Sequence, residues 1–394
     1  MRLGFHFHVP AIARDGGVFV PSFIGGWLDS IASNCEQVIC FLHSPSSEEE
    51  VLMDYRLQSP NITLVGIGPH SSVPRRLLSA NKTKKIIRQW SHNIDVMLIR
   101  GPSPLLPQVA LACGKTPVVL MLVADYVAGV SSLPQPRWRK EIIRLWSYWN
   151  KFQQNRVAEN TLTLVNSRLL YNQMVSRVSN LIEIRTTTLT KDNFFYREDT
   201  CQRMPFKILT TGRMSRSKGI LNVLDAIAEL IKQGEDIHFD LVGMIEKGDP
   251  VLDELAKKAK AYGISDRVRY HGYHPAGSEL LNYYKNSDIF VVASKSSAEG
   301  FPRTIWEAFS QGTPVIATNV SSIPYFLKDE QDALIVSPNS PSELAMSIKR
   351  LISEPALRKK LIANGYKLAE ENTLDRRAKE MITEIENWLA SSKS

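Results

Sequence analysis

The chain has little of what marks a membrane span, a zinc site or a disulfide framework. No stretch reaches the ~18 to 20 apolar residues that a crossing helix needs, and the best, residues 118–124, is the size of a strand. Four cysteines, Cys35, Cys40, Cys113 and Cys201, form no Cys-x-x-Cys pair, so neither structural zinc nor a disulfide network is indicated. No Asp-x-Asp triplet occurs, and no obligatory divalent metal is expected. The opening residues MRLGFHFHVP lack a signal-peptide apolar core, which leads to the expectation of a cytoplasmic chain or one peripheral on the inner face of a membrane. Short internal repeats and low-complexity segments are also missing.

What is present suits a two-domain enzyme. A chain of 394 residues is too long for one ordinary core and fits two domains of roughly 200 residues each. Short β-branched runs alternate with helical patterns in both halves: residues 3–7, 38–42, 62–67, 96–99, 118–123, 162–165 and 181–184, then 207–211, 237–243, 267–271, 288–293, 315–318 and 333–336. This alternation predicts an α/β protein with two doubly wound, Rossmann-like domains facing across a cleft. The expected division is 1–190 for the first domain, a polar linker at 191–206, 207–373 for the second, and a last helix at 374–394 that crosses back to the first.

Residues 296–318, SSAEGFPRTIWEAFSQGTPVIAT, carry the strongest chemical signal. A buried strand at 288–293 must be followed by a loop at its carboxyl end. Pro302 then sits where a first helical residue would, and Gly312 with Thr313-Pro314 ends the helix before the next strand. Ligands of open parallel sheets bind beyond the carboxyl ends of strands, where a helix start offers free N–H groups and a positive dipole end. The amides of Phe301, Arg303 and Thr304 are candidate phosphate donors, whereas Glu299 in the loop and Glu307, roughly 7 Å along the axis from the helix start near Pro302, suit hydroxyls. Hydroxyl-bearing rings on both sides of a phosphate describe a nucleotide sugar. A second motif, KILTTGRMSRSKG at 207–219, places Arg213 and Lys218 between a strand and a helix, where a diphosphate leaving group would need cations. In the first half, Asp15-Gly16-Gly17 after the first strand reads as a flexible loop allowing close backbone approach to a ligand, although a simple turn reads equally well.

The EGFPRTIWEAFSQGTPVIAT stretch, with its two glutamates, resembles the retaining glycosyltransferases of the GT-B fold, family 4. That resemblance implies that Glu307 binds the nucleotide ribose, that Glu299 contacts the transferred sugar, and that Arg213 and Lys218 hold the donor diphosphate together with the loop Gly300, Phe301, Pro302, Arg303 and Thr304. Gly16 and Gly17 carry over as residues against the donor phosphate and the acceptor. Where the family commonly has His-Asp, this chain has Ala124-Asp125, so Asp125 carries over without a histidine. The activity implied is transfer from a nucleotide-diphosphate sugar to an acceptor hydroxyl with retention of configuration, no cofactor being required, on a glycan or lipid-linked acceptor of surface glycan assembly. A nucleotide-sugar epimerase and a non-catalytic nucleotide-sugar binding protein are the alternatives; a glycan phosphorylase would need a pyridoxal lysine, which is not identifiable.

The net charge of +8 lies wholly in the first half: Lys and Arg outnumber Asp and Glu by 20 to 12 over residues 1–190 and balance at 28 to 28 thereafter. Residues 75–90 hold six cations and no acid; residues 137–156 hold six cations and one acid. The second segment has an apolar stripe of Trp138, Ile142, Leu145, Trp146, Trp149 and Phe152 at helical spacing, which serves either an interfacial membrane helix or packing on the sheet. Its place before a strand favours packing. The first segment reads as a solvated surface able to attract anionic lipid; without a recognisable binding module, nucleic acid is not an expected partner.

Overall fold

In the computed structural model, residues 1–123, 127, 130, 136–246, 248–295 and 300–392 are described. Two compact units emerge: Met1–Thr186 with Leu374–Ser394, and Thr187–Thr373.

The first unit is built on a 7-stranded parallel sheet. From one edge its strands run Ile62–Pro69, Gln37–Ser44, Arg2–Pro10, Val96–Gly101, Val118–Leu122, Leu162–Val165 and Leu181–Glu183. The sequence order reverses between Arg2–Pro10 and Val96–Gly101, which is the doubly wound pattern. One face buries Phe5 against Leu28 and Ile31 of helix Ser22–Ala32 and against the last helix, Leu374–Ser391. The other face is covered by helices Ala80–Trp90, Leu106–Ala112 and Arg137–Ala158, whose Ile87, Val109 and Ala158 share a core with Phe41 and Ile99.

The second unit repeats the scheme on a 6-stranded parallel sheet ordered Val268–Tyr270, Ile237–Val242, Phe206–Thr211, Ile289–Val292, Val315–Thr318 and Leu334–Val336. Its reversal lies between Phe206–Thr211 and Ile289–Val292. The strands expected from alternating composition all occur, with ends differing by a few residues.

Three local expectations need correction. Residues 191–206 are not a linker, because side chains fasten them to the second unit. The Arg197 guanidinium donates to the carbonyls of Lys285 (2.9 Å), Ser287 (2.5 Å) and Gly312 (3.1 Å), and Arg358, 3% exposed, forms a two-pronged pair with Asp199. Asp15-Gly16-Gly17 is not a flexible loop: Ile12–Arg14 and Gly17–Val20 pair antiparallel, and Asp15 (φ 49°) and Gly16 (φ 68°) make the two left-handed positions of a tight hairpin turn. The helix Arg137–Ala158 turns Ser147, Asn150, Gln154 and Ala158 inward, so its Trp138, Ile142, Leu145, Trp149 and Phe152 stripe is exposed instead of packed on the sheet.

Candidate functional site

At the reversal point of the second sheet, two loops are pressed together by the backbone. Gly219 has φ 66°, and a Cβ there would collide with the carbonyl of Ala293, so the loop after Phe206–Thr211 lies directly on the end of Ile289–Val292. The amide of Lys295 donates to the Ser217 carbonyl at 2.8 Å, which ties the same loops a second time. On the other side, the Met214 amide donates to the Met244 carbonyl at 2.7 Å and the Glu246 amide donates back to the Met214 carbonyl at 3.1 Å. Residues 212–219 are therefore held by both neighbouring strand ends.

This fixed loop carries the two cations singled out from sequence. Lys218 closes the short 3-10 turn Arg216–Lys218 and is half-buried. Arg213 is exposed, with its guanidinium 3.7 Å from Glu246. Such an exposed pair contributes only ~0 to 1 kcal/mol.

The helix following Ile289–Val292 spans Arg303–Ser310, with Pro302 as its cap residue instead of its first helical residue. Pro302 adopts extended geometry (φ −67°, ψ 116°) and offers no capping side chain, so the amides of Arg303 and Thr304 have no intrahelical acceptor, the position from which a helix start can donate to an anion. Phe301 fixes the approach: its ring stacks on Trp306, with centroids 4.4 Å apart, and meets Phe326 edge-on at 5.3 Å. Gly300 lies beside it, half-buried.

Glu307 is 6% exposed on a helix whose neighbours Ile305, Trp306, Ala308 and Phe309 are all buried. A carboxylate in such surroundings must be hydrogen-bonded to remain charged. Oε1 accepts from the Thr188 hydroxyl at 3.0 Å and Oε2 from the Tyr284 phenol at 2.7 Å. Since the one phenol proton goes to Glu307, the Thr211 hydroxyl, 2.5 Å away, donates to the Tyr284 oxygen. Burial first, and then the Glu307 charge, push the Tyr284 phenol well above its ordinary range, keeping it a donor. Each Glu307 oxygen retains capacity for one more donor. Thr188, Tyr284 and Thr211 were not singled out from sequence; no spacing rule links residues so far apart to Glu307.

Glu299 and Asp125 lie outside the described residues. Gly16 in the hairpin turn and Gly17 at the start of the strand after it line an open depression with Arg56 and Gln58. At the carboxyl side of the first sheet, His6, His8, His43 and His70 gather beside buried Arg76; the rings of His43 and His70 have centroids 5.8 Å apart. His6 bridges the Phe41 carbonyl at 3.0 Å and the Ser103 hydroxyl at 3.2 Å. Burial above all, aided by the Arg76 charge, lowers His6 to about 4 and His8 to about 3, so these rings are neutral at ordinary pH.

Residues 195–368 match the family model for glycosyl transferases group 1. A curated relative, the lipopolysaccharide core biosynthesis glycosyltransferase LpsE of Rhizobium meliloti, is 27% identical over 186 residues, 47% of this chain and 50% of the relative. The chain spans about half, or less, of the length of the curated relatives it matches. Among solved structures, sucrose-phosphate synthase from Thermosynechococcus elongatus superposes with a TM-score of 0.70 at 17% identity, covering 99% of both chains. Anabaena HepE in complex with UDP and glucose gives a TM-score of 0.70 at 17% identity, covering 98% of this chain and 99% of HepE. The fold is thus the GT-B fold of two Rossmann-like domains.

Proposed function

We propose that this chain, whose residues 195–368 belong to glycosyl transferases group 1, transfers a sugar from a nucleotide-diphosphate donor to an acceptor hydroxyl with retention of configuration and without an obligatory divalent metal. The observation that carries the reading is the junction of Gly219 with Ala293, which brings the Arg213–Lys218 loop to the strand end from which the Gly300–Thr304 helix start departs. HepE, of the same fold, binds UDP and glucose according to its solved complex.

In this reading Lys218 and Arg213, with the amides of Arg303 and Thr304, stabilise the charge that grows on the departing diphosphate. Preorganised donors of this kind are usually the largest contribution an active site makes. Glu307, oriented by Thr188 and Tyr284, uses its remaining acceptor capacity for the ribose hydroxyls, and Glu299 contacts the sugar. The bond from the anomeric carbon to the diphosphate oxygen breaks, the acceptor oxygen bonds to that carbon on the same face, and the acceptor proton passes to the leaving phosphate oxygen. No separate protein base is then required. Gly16 and Gly17 lie against the donor phosphate and the acceptor, Asp125 acts as a catalytic residue, and the name of LpsE points to a glycan or lipid-linked acceptor of surface polysaccharide assembly.

A screen of UDP-, GDP-, ADP- and dTDP-sugars by thermal shift, followed by donor turnover with and without acceptor, tests the reading. A released nucleoside diphosphate supports transfer, an isomerised donor would instead indicate an epimerase, and tight binding without turnover would indicate a binding protein.

A further inference from the structure

The helix Arg137–Ala158 is amphipathic in the reverse sense for a globular protein. Its buried residues are Ser147, Asn150, Gln154 and Ala158, while Trp138, Ile142, Leu145, Trp149 and Phe152 face solvent, the least exposed at 50% (Trp149) and the most at 70% (Leu145). At ~100° per residue the five lie within about 40° of one line along the helix, opposite the buried face. They extend for about 21 Å at ~1.5 Å per residue. Leaving such a row in water is unfavourable, and contiguous apolar surface of this kind marks an interaction site.

The charges around the row say what covers it. Arg137, Arg139 and Arg156 are exposed on the same helix, and the Arg156 guanidinium reaches over the Phe152 ring, 5.7 Å from its centroid. Helix Ala80–Trp90, which packs on the opposite side of Leu106–Ala112 in the same layer, exposes Lys82, Lys85 and Arg88, and Leu111 between them is exposed as well. Protein interfaces are depleted of charge at their centres. A tryptophan row edged by cations instead suits the boundary of an anionic bilayer, with rings at the headgroup level and Lys and Arg extended to the phosphates. Among the described residues no helix is long and apolar enough to cross a membrane, so the helix would lie in the plane of the surface.

We propose that the outer face of the layer formed by helices Ala80–Trp90, Leu106–Ala112 and Arg137–Ala158 docks on an anionic phospholipid surface, with Trp138, Ile142, Leu145, Trp149 and Phe152 inserted at the headgroup boundary. The docking needs no nucleotide sugar and stands apart from the transfer reading.

The test is co-sedimentation of the full chain with vesicles of phosphatidylglycerol and phosphatidylcholine, or of phosphatidylcholine alone. Two variants accompany the wild type: Leu145→Ser with Trp149→Ser, and Lys82→Glu with Lys85→Glu and Arg88→Glu. All of these side chains are half-buried at most, so the fold is kept, and circular dichroism checks this. At least tenfold stronger binding to the anionic vesicles is expected, weakened by salt, with a tenfold loss in the apolar variant and loss of lipid preference in the charge variant. Wild-type protein that ignores both vesicles, or an apolar variant that binds like the wild type, overturns the proposal. So does a wild-type dimer that the apolar variant makes monomeric while vesicle binding is unchanged, since a second copy would then cover the row. Donor binding without vesicles is expected to be the same in all three proteins, which keeps a failure of docking distinct from a failure of the transferase reading.

Discussion

The phenol of Tyr284 donates to Oε2 of Glu307 at 2.7 Å, and neither group has more than marginal contact with water. Glu307 is thereby aimed by the fold before any ligand arrives. Tyr284→Phe removes this donor and leaves a buried carboxylate oxygen short of a partner, at a cost of ~1 to 3 kcal/mol. A fall of several degrees in melting temperature is expected, at roughly 2 to 4 °C per kcal/mol, together with weaker nucleotide diphosphate binding by calorimetry. An unchanged melting temperature would mean that the phenol does not hold Glu307.

Gly219 and Gly16 both have positive φ, but their surroundings differ. A Cβ on Gly219 runs into the Ala293 carbonyl, whereas one on Gly16 meets nothing within 4 Å. Gly16→Ala therefore carries only the left-handed backbone penalty of ~1 to 2 kcal/mol. Gly219→Ala must in addition separate the loop from the strand end, and is expected to lower stability further and to slow donor turnover at least tenfold. Equal melting temperatures for the two variants would remove the junction as an organising contact.

Stability is expected to decline on acidification because of the buried histidines. Burial depresses His6 to about 4, and His8 and His43 to about 3, in the folded chain. In the unfolded chain a histidine titrates near ~6.5, so below that pH the unfolded state binds the extra protons. The stabilisation is complete above pH ~6.5 and is lost progressively as pH falls towards the folded values, with a limiting slope of ~1.4 kcal/mol per pH unit for each ring. Thermal denaturation between pH 7 and 4.5 checks this, and His6→Gln should flatten the dependence. A melting temperature independent of pH over that interval would contradict neutral, buried rings.

The sheets were legible in the sequence because buried parallel strands are continuous apolar runs, and both central motifs fell at strand ends where ligand chemistry belongs. What escaped was information that periodicity does not carry. The spacing of Trp138, Ile142, Leu145, Trp149 and Phe152 specifies a stripe on a helix but not whether the stripe faces inward, and small polar Ser147, Asn150 and Gln154 took the inner side. Residues 191–206 read as a linker because Arg197 and Asp199 are polar; their acceptor and donor partners, at 285–313 and Arg358, come near only after folding. Thr188 and Tyr284 were invisible as Glu307 partners for the same reason.

The most direct measurement is turnover of the accepted nucleotide sugar by Lys218→Ala and by Glu307→Ala, each checked for folding by circular dichroism. A loss of at least a hundredfold is expected in both, about 2.7 kcal/mol at ~1.36 kcal/mol per decade. Well-folded variants that both turn over donor at near wild-type rates would contradict a diphosphate cradled where Gly219 meets Ala293.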